Sequence, residues 1–298
     1  MAPPQIRLLG AGVTKESQTT HTSVTSLHKN SPVNKPSPES TAETARQTSI
    51  GRRILSRSVG ADQYTVRLAT SSKDIQAAQS LRFMIFNLEL QEGLDASYLT
   101  LRDEDAYDVA CHHLLVECGG EVVGTYRMQT GEQAARHSGF YSAQEFDLSP
   151  FEPIRAEVLE LGRACVHSDH RNLRVLSMLW KGIASYARDH GCRYMVGCSS
   201  LTSQDAEEGL ALYEMLARKH LAAPEFRTLP LPEWVCPLPA LEREPAPVPR
   251  APKLLTAYLS LGAKICAPPA LDREFKTIDF LTLLDLKKLP ASAAELLQ

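Results

Sequence analysis

Glu160-Leu161-Gly162-Arg163-Ala164-Cys165-Val166-His167 is the stretch on which the fold turns. With Val158 and Leu159 before it, the run from Val158 to Val166 reads as a core strand that holds a carboxylate and a guanidinium three residues apart. A buried charge without a partner is strongly destabilising, so such residues pair with each other or with a ligand. The strand just upstream, Glu121-Val122-Val123-Gly124-Thr125-Tyr126-Arg127-Met128, has the same feature at Arg127. Two arginine-bearing apolar strands in succession predict one shared polar pocket. The competing reading places these charges on solvent-facing strand positions as surface salt bridges.

The flanking elements follow from periodicity and from turn chemistry. Downstream, a helix is predicted from about Leu173 to His190, closed by Gly191 as a C-cap. A strand over Arg193 to Cys198 and a helix over Asp205 to Lys219 come next. Upstream, His112 to Glu117 and Glu121 to Met128 form a hairpin through Cys118-Gly119-Gly120. Tyr64 to Ala69 alternates like a strand. A helix from about Lys73 to Leu90 follows, capped by Ser71 or Ser72, with Asp74 favourable at its N-terminus. Asp95 to Asp108 is an acidic loop, and a short helix is predicted near Ser142 to Phe146. Lys253 to Ser260 reads as helix, Ala263 to Cys266 as a short strand and Lys276 to Leu284 as a final strand. This order predicts an α+β fold, a mixed and mostly antiparallel sheet flanked by helices.

Composition narrows the function classes. The chain has 298 residues, 43% hydrophobic and 22% charged, with a net charge of -3. That is an ordinary globular balance and gives no reason to expect nucleic-acid binding. No window approaches a membrane span, and the N-terminus lacks the apolar core of a secretory signal. The seven cysteines form no CxxC pair, so neither a zinc site nor a disulfide framework is indicated, and no metal is expected. A cytoplasmic location fits best. Residues 1–60, rich in Ser, Thr, Pro and Lys, are expected to be a disordered tail ahead of a catalytic domain over 62–290. Within that domain, residues 222–252 hold nine of the nineteen prolines. This segment is expected to be a long excursion outside regular structure, with Trp234 and several leucines suited to a substrate-covering or membrane-facing lid.

The order of elements and the motifs on them resemble the GNAT superfamily of N-acyltransferases, and within it the L-ornithine N-alpha-acyltransferase family. The matching pieces include Arg82-Phe83-x-x-Phe86, Asp105-x-x-Asp108, His112-His113-Leu114-Leu115-Val116, Gly124-Thr125-Tyr126-Arg127, Gly139-Phe140-Tyr141-Ser142, Glu145-Phe146-Asp147 and Glu160-Leu161-Gly162-Arg163. Gly197-Cys198-Ser199-Ser200, Leu254-Leu255-x-x-Tyr258-x-x-Leu261-Gly262-Ala263 and Asp272-x-x-Phe275-x-Thr277-x-Asp279 complete the set, which spans residues 67–285. The resemblance implies transfer of a 3-hydroxyacyl chain from acyl carrier protein to the alpha-amino group of ornithine, giving lyso-ornithine lipid. It implies no bound cofactor, because the phosphopantetheine thioester arrives as cosubstrate. The same skeleton is similar to that of acyl-homoserine-lactone synthases. By that likeness Arg82, Phe86, Asp105, Asp108, Arg127, Glu160 and Arg163 surround the acceptor.

Roles for these residues follow from the chemistry of amide formation. The attacking amine must lose a proton, and the developing oxyanion needs donors. Glu160 is the candidate base, with Arg163 beside it; its structural alternative is an ion-pair partner of Arg163 or Arg127. Arg127 and Arg163 are suited to a carboxylate, and Asp105 and Asp108 to an ammonium, although the run Asp103-Glu104-Asp105 leaves the register of the loop open. Backbone amides of the Val158 to Val166 strand are implied by the resemblance to polarise the thioester carbonyl. His112, His113 and His167 read as structural, and Cys165 as a small core residue. Arg171, Arg174 and Lys181 sit where basic residues would dock an acidic carrier protein. The run Arg171-Asn172-Leu173-Arg174-Val175-Leu176 lacks the glycines of a pyrophosphate-binding turn, which points from coenzyme A toward a carrier-bound donor. Three other readings remain open: the same chemistry on another amine, a non-catalytic carrier- or lipid-binding protein, and acyl-homoserine-lactone synthesis, for which no nucleoside-recognition feature speaks. A lipid product would also call for peripheral contact with the inner face of a membrane.

Overall fold

The computed structural model describes residues 64–238 and 247–291. The expected tail over 1–60 lies outside the described residues. One mixed sheet organises the rest. Its strands are β1 (Tyr64–Leu68), β2 (His112–Cys118), β3 (Glu121–Thr130), β4 (Val158–Val166), β5 (Tyr194–Leu201), β6 (Lys264–Ile265), β7 (Ala270–Asp272) and β8 (Thr277–Asp285). The order is β1-β2-β3-β4-β5-β8-β6, with β7 also pairing β8. Every pairing is antiparallel except β4 with β5. That one parallel pair is joined by helix α4 (Leu173–Asp189), the crossover that parallel strands require.

Helix α4 covers one face of the sheet. Its Val175, Leu179, Ile183 and Tyr186 bury against Leu114, Tyr126, Met128, Leu159 and Leu161. The spacing from 175 to 179, 183 and 186 is the apolar stripe of an amphipathic helix. Asn172 caps it by accepting from the Val175 amide at 3.0 Å, and Gly191 turns the chain away at φ +67°. Truncating Leu179 to alanine would cost about 2–5 kcal/mol. Helices α5 (Ala206–His220) and α6 (Lys253–Ser260) pack beside it around Leu212, Leu255, Ile278 and Phe280.

Helix α1 (Ser72–Phe83) begins with a capping box between Ser71 and Asp74. It does not run unbroken to Leu90. Residues Met84–Glu89 form a π-helical turn, in which the Leu90 amide reaches back to the Ile85 carbonyl at 3.0 Å. The wider turn moves Phe86 and Glu92 into the pocket described below. Two further short helices, α2 (Ser97–Thr100) and α3 (Gly131–Arg136), were not expected.

Residues 222–238 of the proline-rich segment form a strap packed on the fold. The Leu231 amide donates to the Glu145 carbonyl at 2.7 Å, the Asp147 amide to the Leu229 carbonyl at 3.1 Å and the Thr228 amide to the Cys266 carbonyl at 2.8 Å. Trp234 is half-buried against this layer. These contacts fix the strap behind the 140s turn; none of residues 222–238 lines the pocket, whereas Pro252 at the far end of the segment does. The part over 239–246 lies outside the described residues. Among the described residues, no helix is long and apolar enough to cross a membrane.

Candidate active site

The sheet opens where β4 and β5 diverge. They pair only through Val158, Leu159 and Glu160, opposite Tyr194, Met195 and Val196. Gly197 lies at the fork, and a Cβ there would stand 2.2 Å from the Leu161 carbonyl oxygen, so no other residue fits. Beyond the fork β4 carries a bulge: Thr125 faces Cys165 and Arg127 faces Gly162, leaving Arg163 and Ala164 across from Tyr126 alone. Arg163 takes φ +49°, a left-handed conformation that a residue with a Cβ adopts only under constraint. A bulge leaves backbone groups outside the ladder. A cleft of about 770 Å³ fills the opening, lined by the bulge and by Phe86, Arg127, Gln129, Glu160, Leu176 and Tyr258, among others.

Glu160 lies in the floor of this cleft. The Tyr141 amide donates to its Oε2 at 2.7 Å and the Ser142 amide to its Oε1 at 2.8 Å. Burial raises its pKa, opposed by these amides and by Arg127. The result is a carboxylate that is held by donors and is more basic than a solvated one.

The arginines and aspartates expected around the acceptor pair mainly with one another. Arg82 is fully buried. It makes a bidentate contact to Asp108 at 2.9 and 2.7 Å, and its Nε lies 2.7 Å from Asp103. Arg127 Nη1 reaches both oxygens of Asp105 at 2.6 and 2.7 Å and Asp108 at 3.1 Å. Arg163 lies 3.3 Å from both Asp103 and Asp105. Three guanidiniums and three carboxylates thus form one neutral network. Burial pushes the Asp105 and Asp108 carboxyls up, but the guanidiniums outweigh it and both end below the usual range. Glu104, between Asp103 and Asp105, is exposed. The ring of Tyr141 lies under Arg163 at 4.7 Å and Arg127 at 5.1 Å, and Phe275 lies 4.6 Å from Arg163.

Of the predicted acceptor residues, Glu160, Arg127, Arg163 and Phe86 line the cleft. Arg82, Asp105 and Asp108 do not; they stand behind Arg127 and Arg163 and hold them. Asp103 belongs to the same network. Of the basic residues expected to dock a carrier, Arg171, just ahead of α4, lines the cleft mouth and pairs with Glu89 at 2.5 and 2.7 Å. Arg174 lies over the Tyr64 ring at 5.3 Å, and Lys181 is exposed on the helix, both away from the cleft. His112 is bonded to Tyr186 at 2.6 Å and His113 to the Asp108 carbonyl at 3.0 Å, outside the cleft lining. Cys165 lines the cleft, but burial pushes its thiol up to about 12, so it is no thiolate at neutral pH.

A second group of acids escaped the sequence reading of roles. Glu92, Asp272 and Asp279 line the cleft, and Glu145 lies just behind them. All four are buried. Burial pushes Glu92 up to about 7 and Asp279 up to about 6. Asp279 stands in the middle of an apolar strand, the same anomaly that singled out Glu160.

Comparison with known proteins agrees with this architecture. Residues 81–181 match the model of the acetyltransferase (GNAT) domain. The chain is 34% identical over 238 residues to the L-ornithine N(alpha)-acyltransferase of Agrobacterium fabrum, covering 75% of this chain and 81% of that protein. It is 35% identical over 245 residues to the enzyme of the same name from Rhizobium meliloti, covering 75% of this chain and 80% of that protein. Among solved structures it is similar to FeeM, an N-acyl amino acid synthase from uncultured soil microbes, at 12% identity and a TM-score of 0.46, over 76% of this chain and 93% of that one. With identity above thirty per cent sustained over most of both chains, and with the splayed sheet and bulged strand in place, the chain belongs to the L-ornithine N(alpha)-acyltransferase family.

Proposed function

We propose that this protein transfers a 3-hydroxyacyl chain from acyl carrier protein to the alpha-amino group of L-ornithine, giving lyso-ornithine lipid. The observation that carries the reading is the similarity, over 74–83% of this chain, to acyltransferases named for that acceptor. The cleft supports it chemically. It is long, open between β4 and β5, and apolar toward Leu90, Leu173, Leu176 and Leu179, which suits a pantetheine arm and an acyl chain. The N-terminus of α4 at its mouth offers free amides to a single phosphate.

In this reading Glu160 takes the proton from the alpha-ammonium, directly or through a water. The free amine attacks the thioester carbonyl, whose oxygen is received by backbone amides at the Arg163–Ala164 bulge. The tetrahedral intermediate collapses with loss of the pantetheine thiolate; the proton the nitrogen loses after attack ends on that sulfur, and the proton taken by Glu160 is released to solvent. Arg127 and Arg163 favour the acceptor carboxylate. Arg82, Asp103, Asp105 and Asp108 position those two guanidiniums and do not touch substrate. Arg171 serves carrier docking at the cleft mouth, with Arg174 and Lys181 on the helix that follows it. The protein works in the cytoplasm and hands its product to the inner membrane face.

Expression in a bacterium lacking ornithine lipids tests this. Lipid extracts should contain a mass corresponding to 3-hydroxyacyl-ornithine, absent with Glu160→Gln. A different acylated amine would replace the acceptor. Purified protein that uses 3-hydroxyacyl coenzyme A as well as the carrier-bound thioester would remove the carrier assignment.

A further inference from the structure

The two polar groups of the cleft differ in charge. The arginine–aspartate network is balanced. The second group, Glu92, Glu145, Asp272 and Asp279, has four carboxyls and forms no salt bridge among the described residues. Glu145 is 0% exposed with Oε1 unpartnered, and Asp279 is 4% exposed with Oδ1 unpartnered. Ligand atoms of Glu145, Cys198 and Asp279 lie within 4.8 Å of one another. The remaining oxygens have modest partners: Thr202 donates to Glu92, and the Glu274 and Phe275 amides donate to Asp272 at 2.9 and 2.8 Å. Five separate stretches of chain deliver these groups to one place. Arg163 acts on this cluster, but it is already paired with Asp103 and Asp105; burying like charges together without a counter-charge of their own is unfavourable unless a cation or a shared proton relieves it.

A second observation in the same cleft points to a ligand. Gln129 lines it, is 1% exposed, and has no partner for either its Oε1 or its Nε2. It stands across β3–β4 from Glu160. A buried carboxamide with donor and acceptor both unmet is costly unless a bound molecule meets them. The two regions are linked through Ser142. Its amide holds Glu160 at 2.8 Å, its Oγ lies 3.5 Å from Cys198 Sγ, and that sulfur lies 3.7 Å from Glu145 Oε2.

We infer that Asp279, flanked by Asp272 and Glu92 and backed by Glu145, forms a pocket for the side-chain ammonium of the acceptor, while Gln129 meets its alpha-amino-acid end beside Glu160. This rests on the proposed acyl transfer to an amino acid and names the residues that select a terminal amine. An ammonium offers three donors, which suits the unpartnered Asp279 oxygen together with oxygens of the cleft-lining Asp272 and Glu92. A hard divalent cation asks for six or more oxygens, and a buried thiol among carboxylates is a poor replacement.

The test uses the purified full chain, carrier-bound 3-hydroxyacyl thioester, and two acceptors: ornithine, and norvaline, which has the same carbon skeleton without the terminal nitrogen. Wild type should favour ornithine in kcat/KM by on the order of a hundredfold. Asp279→Asn and Glu145→Gln should each reduce that ratio by about tenfold or more through loss on ornithine, with the norvaline rate retained. Ornithine should raise the melting temperature of wild type and not of Asp279→Asn, a readout that does not depend on turnover. An unchanged ratio in both variants, an equal fall on both acceptors, or a stoichiometric metal ion in the purified protein that Asp279→Asn removes would each overturn the inference. Wild type that uses norvaline as well as ornithine would also overturn it while leaving amino-acid acylation intact. Wild type that uses neither would remove the underlying reading with it.

Discussion

Asp108→Asn should be the most damaging single-atom change in the acid–base network. Asp108 receives Arg82 at 2.9 and 2.7 Å, Arg127 at 3.1 Å and Gln79 at 2.8 Å, all in buried surroundings. The substitution removes one of three carboxylates facing three arginines and turns an amide donor toward a guanidinium. Breaking a buried pair by removing one partner costs about 3–5 kcal/mol, because the surviving charge keeps its desolvation penalty. For a domain of this size that is roughly a 10 °C fall in melting temperature. The control is Glu104→Gln, which removes the exposed Arg102–Glu104 pair at 3.4 Å and should cost about 0–1 kcal/mol. Equilibrium urea unfolding measures both. The pH dependence carries a sign. The Asp108 carboxyl is held below its usual range, so its contribution is complete above the unfolded value near about 4 and is lost as pH falls below that. The gap between wild type and Asp108→Asn must therefore close in acid. A double-mutant cycle with Arg82→Met should return a coupling of about 2 kcal/mol or more. If Asp108→Asn costs no more than the Glu104 control at pH 7, the network does not hold the arginines as described.

Two further outcomes follow from the buried acids. Glu160→Gln should lower kcat by about 10²–10⁴-fold and flatten the rise of rate with pH, because the raised carboxyl must lose its proton to act; an unaltered pH profile in stopped-flow assays would exclude it as the base. In the ligand-free protein, Glu92 near about 7 and Asp279 near about 6 bind protons that the unfolded chain has released. Stability should thus rise as pH is lowered from 7.5 toward 5.5, with Arg163 the cation that faces this group. Calorimetry should show that gain reduced in Asp279→Asn, and equal gains in both proteins would count against the cluster.

Most of the sheet was legible because its strands alternate or run apolar between strong turn signals, as at Cys118-Gly119-Gly120 and Gly191. The elements that escaped depend on tertiary pairing or on local detail. Ala270–Asp272 is three residues long and is a strand only because β8 lies beside it. The π-helical turn at Met84–Glu89 has no composition signal. Helix Gly131–Arg136 did have one, the capping box of Thr130 and Gln133. The site divides in the same way. Charge inside an apolar strand marked Glu160, Arg163 and Arg127, and all three line the cleft. Types alone could not say whether an arginine's partner is a substrate carboxylate or an aspartate of the chain, and here Asp103, Asp105 and Asp108 already pair with all three arginines. Asp279 carried the strand-charge signal too. Glu92 and Glu145 did not, because they reach the cluster from turns.

The two electrostatic regions suggest how one diamine is acylated at one end. On the proposed reading the alpha-amine must be free to attack, and the terminal amine must stay protonated and out of reach. Arg127 and Arg163 stand over Tyr141 beside Glu160, and because Asp103, Asp105 and Asp108 match the arginine charge, the free amine at that end depends on Glu160 taking its proton. The acids around Asp279 act oppositely on the other nitrogen, holding it as an ammonium. Regiochemistry would then be a consequence of charge placement as well as of reach. Asp279→Asn should therefore lose more than affinity. With the terminal ammonium no longer held, the acceptor can enter reversed, and a fraction of product acylated at the side-chain nitrogen should appear in tandem mass spectra of the extracted lipid. The same spectra on wild type should show the alpha-amide alone. If Asp279→Asn slows turnover on ornithine yet yields only the alpha-amide, orientation is set by the carboxylate end at Arg127 and Arg163, and the acids contribute affinity without choosing the nitrogen.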